Sequence, residues 1–191
     1  MTTLSDIFNY LEIYLSLYPG ERERLAIFMG YMKRVAEGSQ FDRKNFEGHL
    51  TTSAFIILAE TEEILLLRHK SLNRWLQPGG HMEGDCSLLA SAIREAVEET
   101  GIEPAHMLHL PVQEYDSVPF DIDVHYIPEN PRKMEEGHYH YDFRYLFSYS
   151  GEGTVAYNPD ESTGLKWVKF DSLVHDETFG PMITKIRQRS K

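Results

Sequence analysis

Residues 79–102 read GGHMEGDCSLLASAIREAVEETGI and combine a glycine turn, an amphipathic helix and a group of carboxylates. At ~100° per residue, the small and aliphatic side chains of the helix share one face: Leu89, Ala92, Ile93, Ala96 and Val97. Glu95, Glu98 and Glu99 fall nearly opposite, on the polar face. Gly101 follows as the expected left-handed residue that ends the helix. The stretch therefore predicts a turn and then a helix with an acidic face.

The three glutamates repel one another, since like charges at this spacing destabilise a helix by about 0.2–0.5 kcal/mol per pair. Arg94 can pair with Glu98 one turn on, but one cation does not neutralise three anions. A divalent cation does, and Mg²⁺ is usually held by a few carboxylates while water and substrate phosphates fill its other positions. A solvated acidic face is the alternative, but the fixed offsets of glycines, arginine and glutamates favour a metal site.

The same stretch resembles the Nudix box. In that motif a Gly, five residues, a Glu, seven residues, Arg-Glu, an aliphatic, any residue, Glu-Glu, any residue, a Gly and an aliphatic follow one another. The matching residues are Gly80, Arg94, Glu95, Glu98, Glu99, Gly101 and Ile102. Two positions depart, because Cys86 stands where the first Glu belongs and Ala96 stands where a bulkier aliphatic is usual. Asp85 can substitute for that first Glu after a small register change.

The resemblance implies a MutT-like Nudix hydrolase that cleaves a phosphoanhydride bond in a nucleoside diphosphate linked to another moiety X. It implies Mg²⁺ as the cofactor, with Mn²⁺ as a substitute. The implied metal ligands are the Gly79 carbonyl, Glu95, Glu98 and Glu99, and the implied catalytic residues are Arg94, Glu95, Glu98 and Glu161. Glu161, from a later loop, is a candidate general base. The alternatives are a non-catalytic Nudix-fold ligand-binding module and an isoprenyl-diphosphate isomerase-like enzyme.

The composition of the 191 residues fits one domain with an appendage, since 41% of them are hydrophobic. The formal net charge of −11 disfavours a nucleic-acid polymer as partner and leaves small phosphorylated substrates open. A single cysteine offers no disulfide framework, and no apolar run approaches ~18 residues. The start MTTLSDIFNY does not resemble a signal peptide. These features predict a cytoplasmic protein without a membrane partner.

Two regions are predicted, an N-terminal helical extension at residues 1–48 and a Nudix hydrolase domain at residues 49–191. The extension reads as a helical pair, a first helix ending before Pro19-Gly20 and a second at about residues 21–37. Apolar residues wrap most of the first helix, so we expect it to be buried. It packs either on the catalytic domain or in a homodimer formed through the N-terminal helices.

From about residue 50 the pattern is α/β (α+β). Strands are predicted at residues 52–58 and 63–69, which form a hairpin, and at 120–127, 138–150 and 165–170. A closing helix is predicted at residues 177–189. Strands between the box helix and a last helix make an α-β-α sandwich with a mixed sheet, the architecture that the Nudix resemblance implies.

Two later strands alternate between aromatic and polar residues. Residues 120–126 place Asp121, Asp123 and His125 on one face, and residues 138–147 place His138, His140, Asp142 and Arg144 on one face. An antiparallel pairing sets His125 opposite His140 and Asp121 opposite Arg144. This polar face can be a metal site, a solvated surface, or the wall of a substrate cavity in which His125, His140 and Arg144 bind the ligand. His81, after the glycine turn, can touch a phosphate. The segments FDIDVHYIP and HYHYDFRYLF are similar to a poorly characterised bacterial Nudix subgroup with GGH in its box.

Overall fold

A computed structural model describes residues 2–131 and 134–189 of the chain. The helices are α1 (Leu4–Leu17), α2 (Ala26–Met32), α3 (Leu88–Thr100) and α4 (Gly180–Arg189). The strands are β1 (Gly48–Leu58), β2 (Glu63–His69), β3 (Arg74–Leu76), β4 (Gly79–His81), β5 (Met107–His109), β6 (Asp121–Ile127), β7 (His138–Tyr149) and β8 (Ser162–Lys169). None of the helices in these described ranges is long and apolar enough to cross a membrane.

All eight strands belong to one mixed sheet whose main path runs β3-β2-β1-β7-β5. Off this path, β4 pairs with β1, β6 with β7 and β8 with β2. The long β1 and β7 strands are parallel, and the pairs that β4 and β6 make with them are antiparallel. Strands β1 and β2 form the predicted hairpin. Three strands of different sequence position, β1, β4 and β7, thereby come together at one end of the sheet.

Helices cover both faces of this sheet, which confirms the predicted α-β-α sandwich. Alternate β1 residues divide between two cores because strand side chains alternate in direction. Ala54 and Ile56 join the core that contains α1, α2 and α3, whereas Phe55 and Ile57 join the core that contains α4. The polar residues of β1 and β7 are on the same face of the sheet as α4. They lie towards the ends of the two strands, beyond the apolar core on that face.

The N-terminal helices pack on the sheet of their own chain. Phe28 and Tyr31 of α2 lie against the Tyr141 ring, with centroids 4.8 and 4.6 Å away. Predicted α1 has the expected bounds, and Thr3 begins it with a capping box. The second helix is shorter than predicted, Ala26–Met32 instead of residues 21–37. The preceding segment turns instead because Glu21 and Arg24 reach an ion network on the sheet, so tertiary contacts override helix propensity there.

The box helix ends where the sequence predicts. Ser87 begins α3 by accepting a hydrogen bond from the Ala90 N–H at 3.1 Å. Gly101 ends it with φ +66°, the left-handed conformation that glycine adopts without strain. The closing helix α4 begins at Gly180, three residues later than predicted. Asp176 accounts for this difference, because its carboxylate accepts the Thr178 and Phe179 N–H groups and caps the turn before the helix.

Candidate active site

The two glycines of β4 hold the box helix against the sheet. Strand β4 pairs with β1 so that Gly79 lies opposite Ser53. The Gly79 N–H donates to Glu99 Oε2 at 2.9 Å. A Cβ on Gly79 would lie 2.5 Å from the Ser53 Cβ, and a Cβ on Gly80 would overlap the Glu95 carboxylate. Only glycine therefore lets the strand approach these two glutamates so closely.

Arg94 connects most of the charged groups of the box. Its Nη1 donates to Glu95 Oε1 and to Glu98 Oε2, both at 3.0 Å. Its Nε and Nη2 donate to the two oxygens of Asp85 at 3.1 Å, and Nη2 also donates to the His81 carbonyl at 2.8 Å. Arg94 thus fixes the directions of two glutamates and joins them to β4. Asp85, the residue suggested from the sequence as a substitute for the first Glu of the box, pairs with Arg94.

The sequence places all three glutamates on the polar face of the helix, but only Glu98 of the three is exposed to solvent. Glu95 and Glu99 are buried, at 7% and 5% exposure, because β4 covers their side of the helix, and Glu98 is exposed. Burial raises the pKa of Glu95 to about 7 although Arg94 opposes it. Burial also raises the pKa of Glu99, and Glu161 and Glu95 add to this rise while the Gly79 N–H opposes it. Burial thus disfavours the charged forms of these two adjacent carboxylates, and a cation bound beside them would favour those forms.

All ten site residues predicted from the sequence line one cleft of about 550 Å³. They are Gly79, His81, Arg94, Glu95, Glu98, Glu99, His125, His140, Arg144 and Glu161. Glu161 precedes β8, and its side chain contacts the Glu99 carboxylate in this cleft. Four carboxylates therefore share one space, an oxygen-rich set suited to a hard divalent cation such as Mg²⁺ or Mn²⁺. The placement brings the residues together, and their individual roles stay predictions.

The predicted pairing of β6 with β7 has the expected register, with His125 opposite His140 and Asp121 opposite Arg144. Arg144 is almost fully buried and already has three carboxylate partners: Asp121 at 3.3 Å, Asp123 at 2.8 Å and Asp142 at 3.2 Å. These three ion pairs occupy the guanidinium N–H groups of Arg144, which we expected to bind a ligand phosphate. Arg144 holds the strands together in this arrangement, and substrate contact would require it to release an aspartate.

Beyond these carboxylates the polar face becomes a group of imidazoles. His81 Nε2 lies 3.0 Å from His49 Nε2, and His138 Nε2 lies 3.2 Å from His140 Nε2. Burial lowers the pKa of His140 to about 2, and His49, His125, His81 and His138 lower it further. His140 is therefore neutral at ordinary pH. This part of the face is compact and partly buried, unlike a solvated sheet surface.

Sequence reasoning missed His49. His49, Thr51 and Ser53 alternate along the first part of β1. This polar period of two was the available signal that His49 shares a face with the other two. Its position became informative only through the parallel pairing that sets it beside His140 on β7. Thr51 and Ser53 also contribute, since their hydroxyls donate to Asp142 at 3.2 and 2.7 Å.

The fold and this glycine, arginine and glutamate constellation define the class of protein. The family model described as the NUDIX domain matches residues 48–186, and the chain belongs to that family. The crystal structure of a NUDIX-family hydrolase from Clostridium perfringens is similar in fold, with a TM-score of 0.55 and 23% identity. That match covers 75% of this chain and 98% of the other.

Two curated relatives are similar in sequence. The "Probable DHNTP pyrophosphohydrolase" of Lactococcus lactis subsp. cremoris is 32% identical over 114 residues, which are 59% of this chain and 63% of the relative. The "Putative 8-oxo-dGTP diphosphatase" of Bacillus subtilis is 30% identical over 119 residues, which are 62% of this chain and 66% of the relative. The chain therefore spans less than two thirds of the length of either relative.

Proposed function

We propose that this protein is a Nudix hydrolase that cleaves a phosphoanhydride bond in a nucleoside diphosphate linked to another moiety X. One observation carries the proposal: Glu95, Glu98, Glu99 and Glu161 meet in a single cleft, with Arg94 orienting two of them. The two curated relatives bear names of pyrophosphohydrolase and diphosphatase type, which supports the same reaction class.

Different residues of the chain would have different roles in hydrolysis. Arg94 fixes the Glu95 and Glu98 carboxylates, and the Gly79 N–H fixes Glu99, so that three anionic groups are positioned before any ligand arrives. Glu95, Glu98, Glu99 and the Gly79 carbonyl would hold Mg²⁺, or Mn²⁺ in its place. When bound there, such an ion would neutralise diphosphate charge and would supply a template for the attacking water. Glu161, across the cleft, would accept the proton of that water as general base.

The first alternative, a ligand-binding module without catalysis, requires no cluster of carboxylates. Burying Glu95 and Glu99 beside each other costs free energy of folding, and this cost is unexplained if no cation binds the two carboxylates. The second alternative, an isoprenyl-diphosphate isomerase-like enzyme, requires a cysteine in the site. Cys86, the single cysteine, is exposed and is not among the residues that line the cleft. Hydrolysis is therefore the better-supported reaction.

A substrate panel tests the proposed reaction. The protein is incubated with Mg²⁺ and nucleoside triphosphates, dinucleoside polyphosphates, nucleoside diphosphate sugars and an isoprenyl diphosphate, and products are separated by chromatography. We expect a nucleoside monophosphate or a phosphorylated X group from at least one nucleotide class, and none in chelator. Tight binding without turnover would establish the binding module, and isomerised isoprenyl diphosphate would establish the isomerase.

Asp85 and Cys86 are adjacent but should differ in importance. Asp85→Asn removes the charge that pairs with Arg94 in bidentate fashion, so Arg94 orients Glu95 and Glu98 less firmly. Groups that orient metal ligands typically contribute about 10–100-fold in metal affinity or activity, and we expect a loss of that size. Cys86→Ser is the matched control and should keep wild-type turnover, with no covalent adduct by mass spectrometry. Equal losses in both variants would refute the assignment of Asp85.

Three further statements stay predictions from the sequence. These are the cytoplasmic location, the division into an extension at residues 1–48 and a domain at residues 49–191, and the homodimer through the N-terminal helices. Helices α1 and α2 pack on the sheet of their own chain. This packing was the alternative to burial of the first helix in a homodimer. We also propose that the partner is a small phosphorylated molecule and not a nucleic-acid polymer or a membrane, consistent with the charge of −11.

A further inference from the structure

Four histidines from three strands meet at one end of the sheet, beside the carboxylate centre. His49 lies on β1, His81 on β4, and His138 and His140 on β7. The parallel register sets His49 directly beside His140. His138 and His140 are two residues apart and therefore share a face of β7. These four side chains are named here the imidazole cluster.

The spacing of the cluster nitrogens is close to that of a tetrahedral metal site. One ligand atom each from His49, His138 and His140 can be chosen so that all three lie within 4.8 Å of one another. The Nε2 pairs His49–His81 and His138–His140 are 3.0 and 3.2 Å apart. Four nitrogens at about 2.0–2.1 Å from a tetrahedral Zn²⁺ lie about 3.3–3.4 Å from one another. Three of the four histidines thus form a group that could hold one ion, and His81 adjoins this group through its 3.0 Å contact with His49.

Carbonyl groups outside the cluster orient two of the imidazoles. His138 Nδ1 lies 2.7 Å from the Glu136 carbonyl, and His49 Nδ1 lies 3.4 Å from the Asn45 carbonyl. A carbonyl only accepts, so each Nδ1 carries the proton and each Nε2 presents a lone pair to the cluster. A backbone carbonyl on the remote ring nitrogen is the usual partner of a metal-binding histidine, where it fixes the tautomer and the ring direction.

The burial of the cluster also favours an ion. His49 and His138 are 1% and 5% exposed, and their ring nitrogens contact backbone carbonyl oxygens and other imidazole nitrogens. Nitrogen donors without carboxylates suit Zn²⁺ or Co²⁺ and disfavour Mg²⁺, which prefers oxygen. The carboxylate centre and the imidazole cluster therefore differ in the class of metal that they select.

We propose that His49, His81, His138 and His140 form a second metal site, specific for a transition metal of the Zn²⁺ class and separate from the carboxylate centre. The site joins β1, β4 and β7. Its effect on the cleft passes through His81, whose carbonyl accepts a hydrogen bond from Arg94 at 2.8 Å. An ion held by His81 fixes the strand that carries Gly79 and Gly80 against the buried glutamates. The site is structural, since protein nitrogens fill all four positions.

The rival arrangement needs no metal. His81 and His140 can donate their Nε2 protons to the lone pairs of His49 and His138, and the cluster is then a set of imidazole hydrogen bonds. His125 is a matched control, because it lies in the same cleft but pairs with Asp123 at 2.9 Å through Nδ1. It is not assigned to the proposed site.

Metal binding by the tag-free protein decides between these arrangements. Wild-type protein is stripped with chelator and titrated with Co²⁺, followed by its visible absorption, and then with Zn²⁺ in competition. We expect one Co²⁺ per chain with the intense absorption of tetrahedral nitrogen ligation, displaced by Zn²⁺, and a higher melting temperature with either ion. His140→Gln and His138→Gln should weaken binding by at least about 10-fold, whereas His125→Gln should bind as wild type does.

The same titration of Glu98→Gln separates this site from the proposed hydrolytic centre. The tetrahedral spectrum should persist in Glu98→Gln even if that variant no longer hydrolyses substrate. It should also be seen with wild-type protein if the substrate panel shows no turnover at all. No tetrahedral spectrum with wild-type protein, or Co²⁺ binding by His140→Gln with wild-type affinity, would overturn the proposal. His140 is only partly buried, so His140→Gln remains decisive if circular dichroism shows that His138→Gln unfolds the chain.

Discussion

Glu98→Gln should lower the rate of phosphoanhydride hydrolysis by roughly 100- to 10,000-fold, the range for loss of a charge-stabilising or acid–base group, while the metal-free protein stays folded. Glu98 is exposed, and its carboxylate pairs with Arg94 at the surface, so folding depends little on its charge. Glu99→Gln should lower turnover in the same way. Because burial already disfavours a charge on Glu99, a neutral amide there should not lower the metal-free melting temperature.

The measurements are product release at saturating substrate with Mg²⁺, calorimetric titration of Mg²⁺, and melting followed by circular dichroism in chelator. Glu103→Gln is the matched control, since Glu103 is exposed and lies outside the cleft. It should resemble wild type in all three measurements. Full activity of Glu98→Gln, or a loss of activity that accompanies a lower metal-free melting temperature, would contradict the assignment of these carboxylates.

Asp121→Asn should lower the free energy of unfolding by about 3–5 kcal/mol, the usual cost of removing one partner from a buried ion pair. Asp121 is 2% exposed and lies 2.6 Å from Lys185, 3.2 Å from Arg24 and 3.3 Å from Arg144. Burial alone would raise the pKa of Asp121, but these three cations outweigh it and hold the pKa well below its usual value. Neutralising Asp121 leaves the buried cations short of negative charge.

Urea unfolding followed by far-ultraviolet circular dichroism, with the slope fitted separately, measures this loss. Asp171→Asn supplies the matched chemical change at an exposed ion pair with Arg187 and should alter stability little. A loss from Asp121→Asn no larger than that from Asp171→Asn would show that the buried cations have found other partners or water.

Local patterns predicted the elements that depend on neighbouring residues. The helical character of α3 followed from its clear apolar face, and its end followed from Gly101. The register of β6 on β7 followed from alternation, because a shift by one residue would turn Asp121 and Asp123 towards the aromatic core. The box offsets were sufficient to place Gly79, Arg94 and the glutamates in one cleft.

Features that depend on distant pairing could not be read from the sequence. His49 joins the imidazole cluster through the parallel contact of β1 with β7, and no local pattern reports such a crossover. Glu95 and Glu99 are buried because β4 covers them, which helical periodicity alone does not indicate. The shorter α2 has the same origin, since Glu21 and Arg24 turn towards Asp121 on a strand about 100 positions later.

The ion network at Asp121 also bears on how the chain is made. Tyr14 on α1 accepts a hydrogen bond from Lys185 on α4 at 2.6 Å, across 171 positions of sequence. Tyr14 is synthesised early, and Lys185 is synthesised near the end of the described chain. The hydrogen bond between them therefore cannot form until most of this chain has been made. Contacts of such long separation slow folding, since the loop must close before they stabilise anything. The ion network around Asp121 can therefore be completed only after α4 has been made.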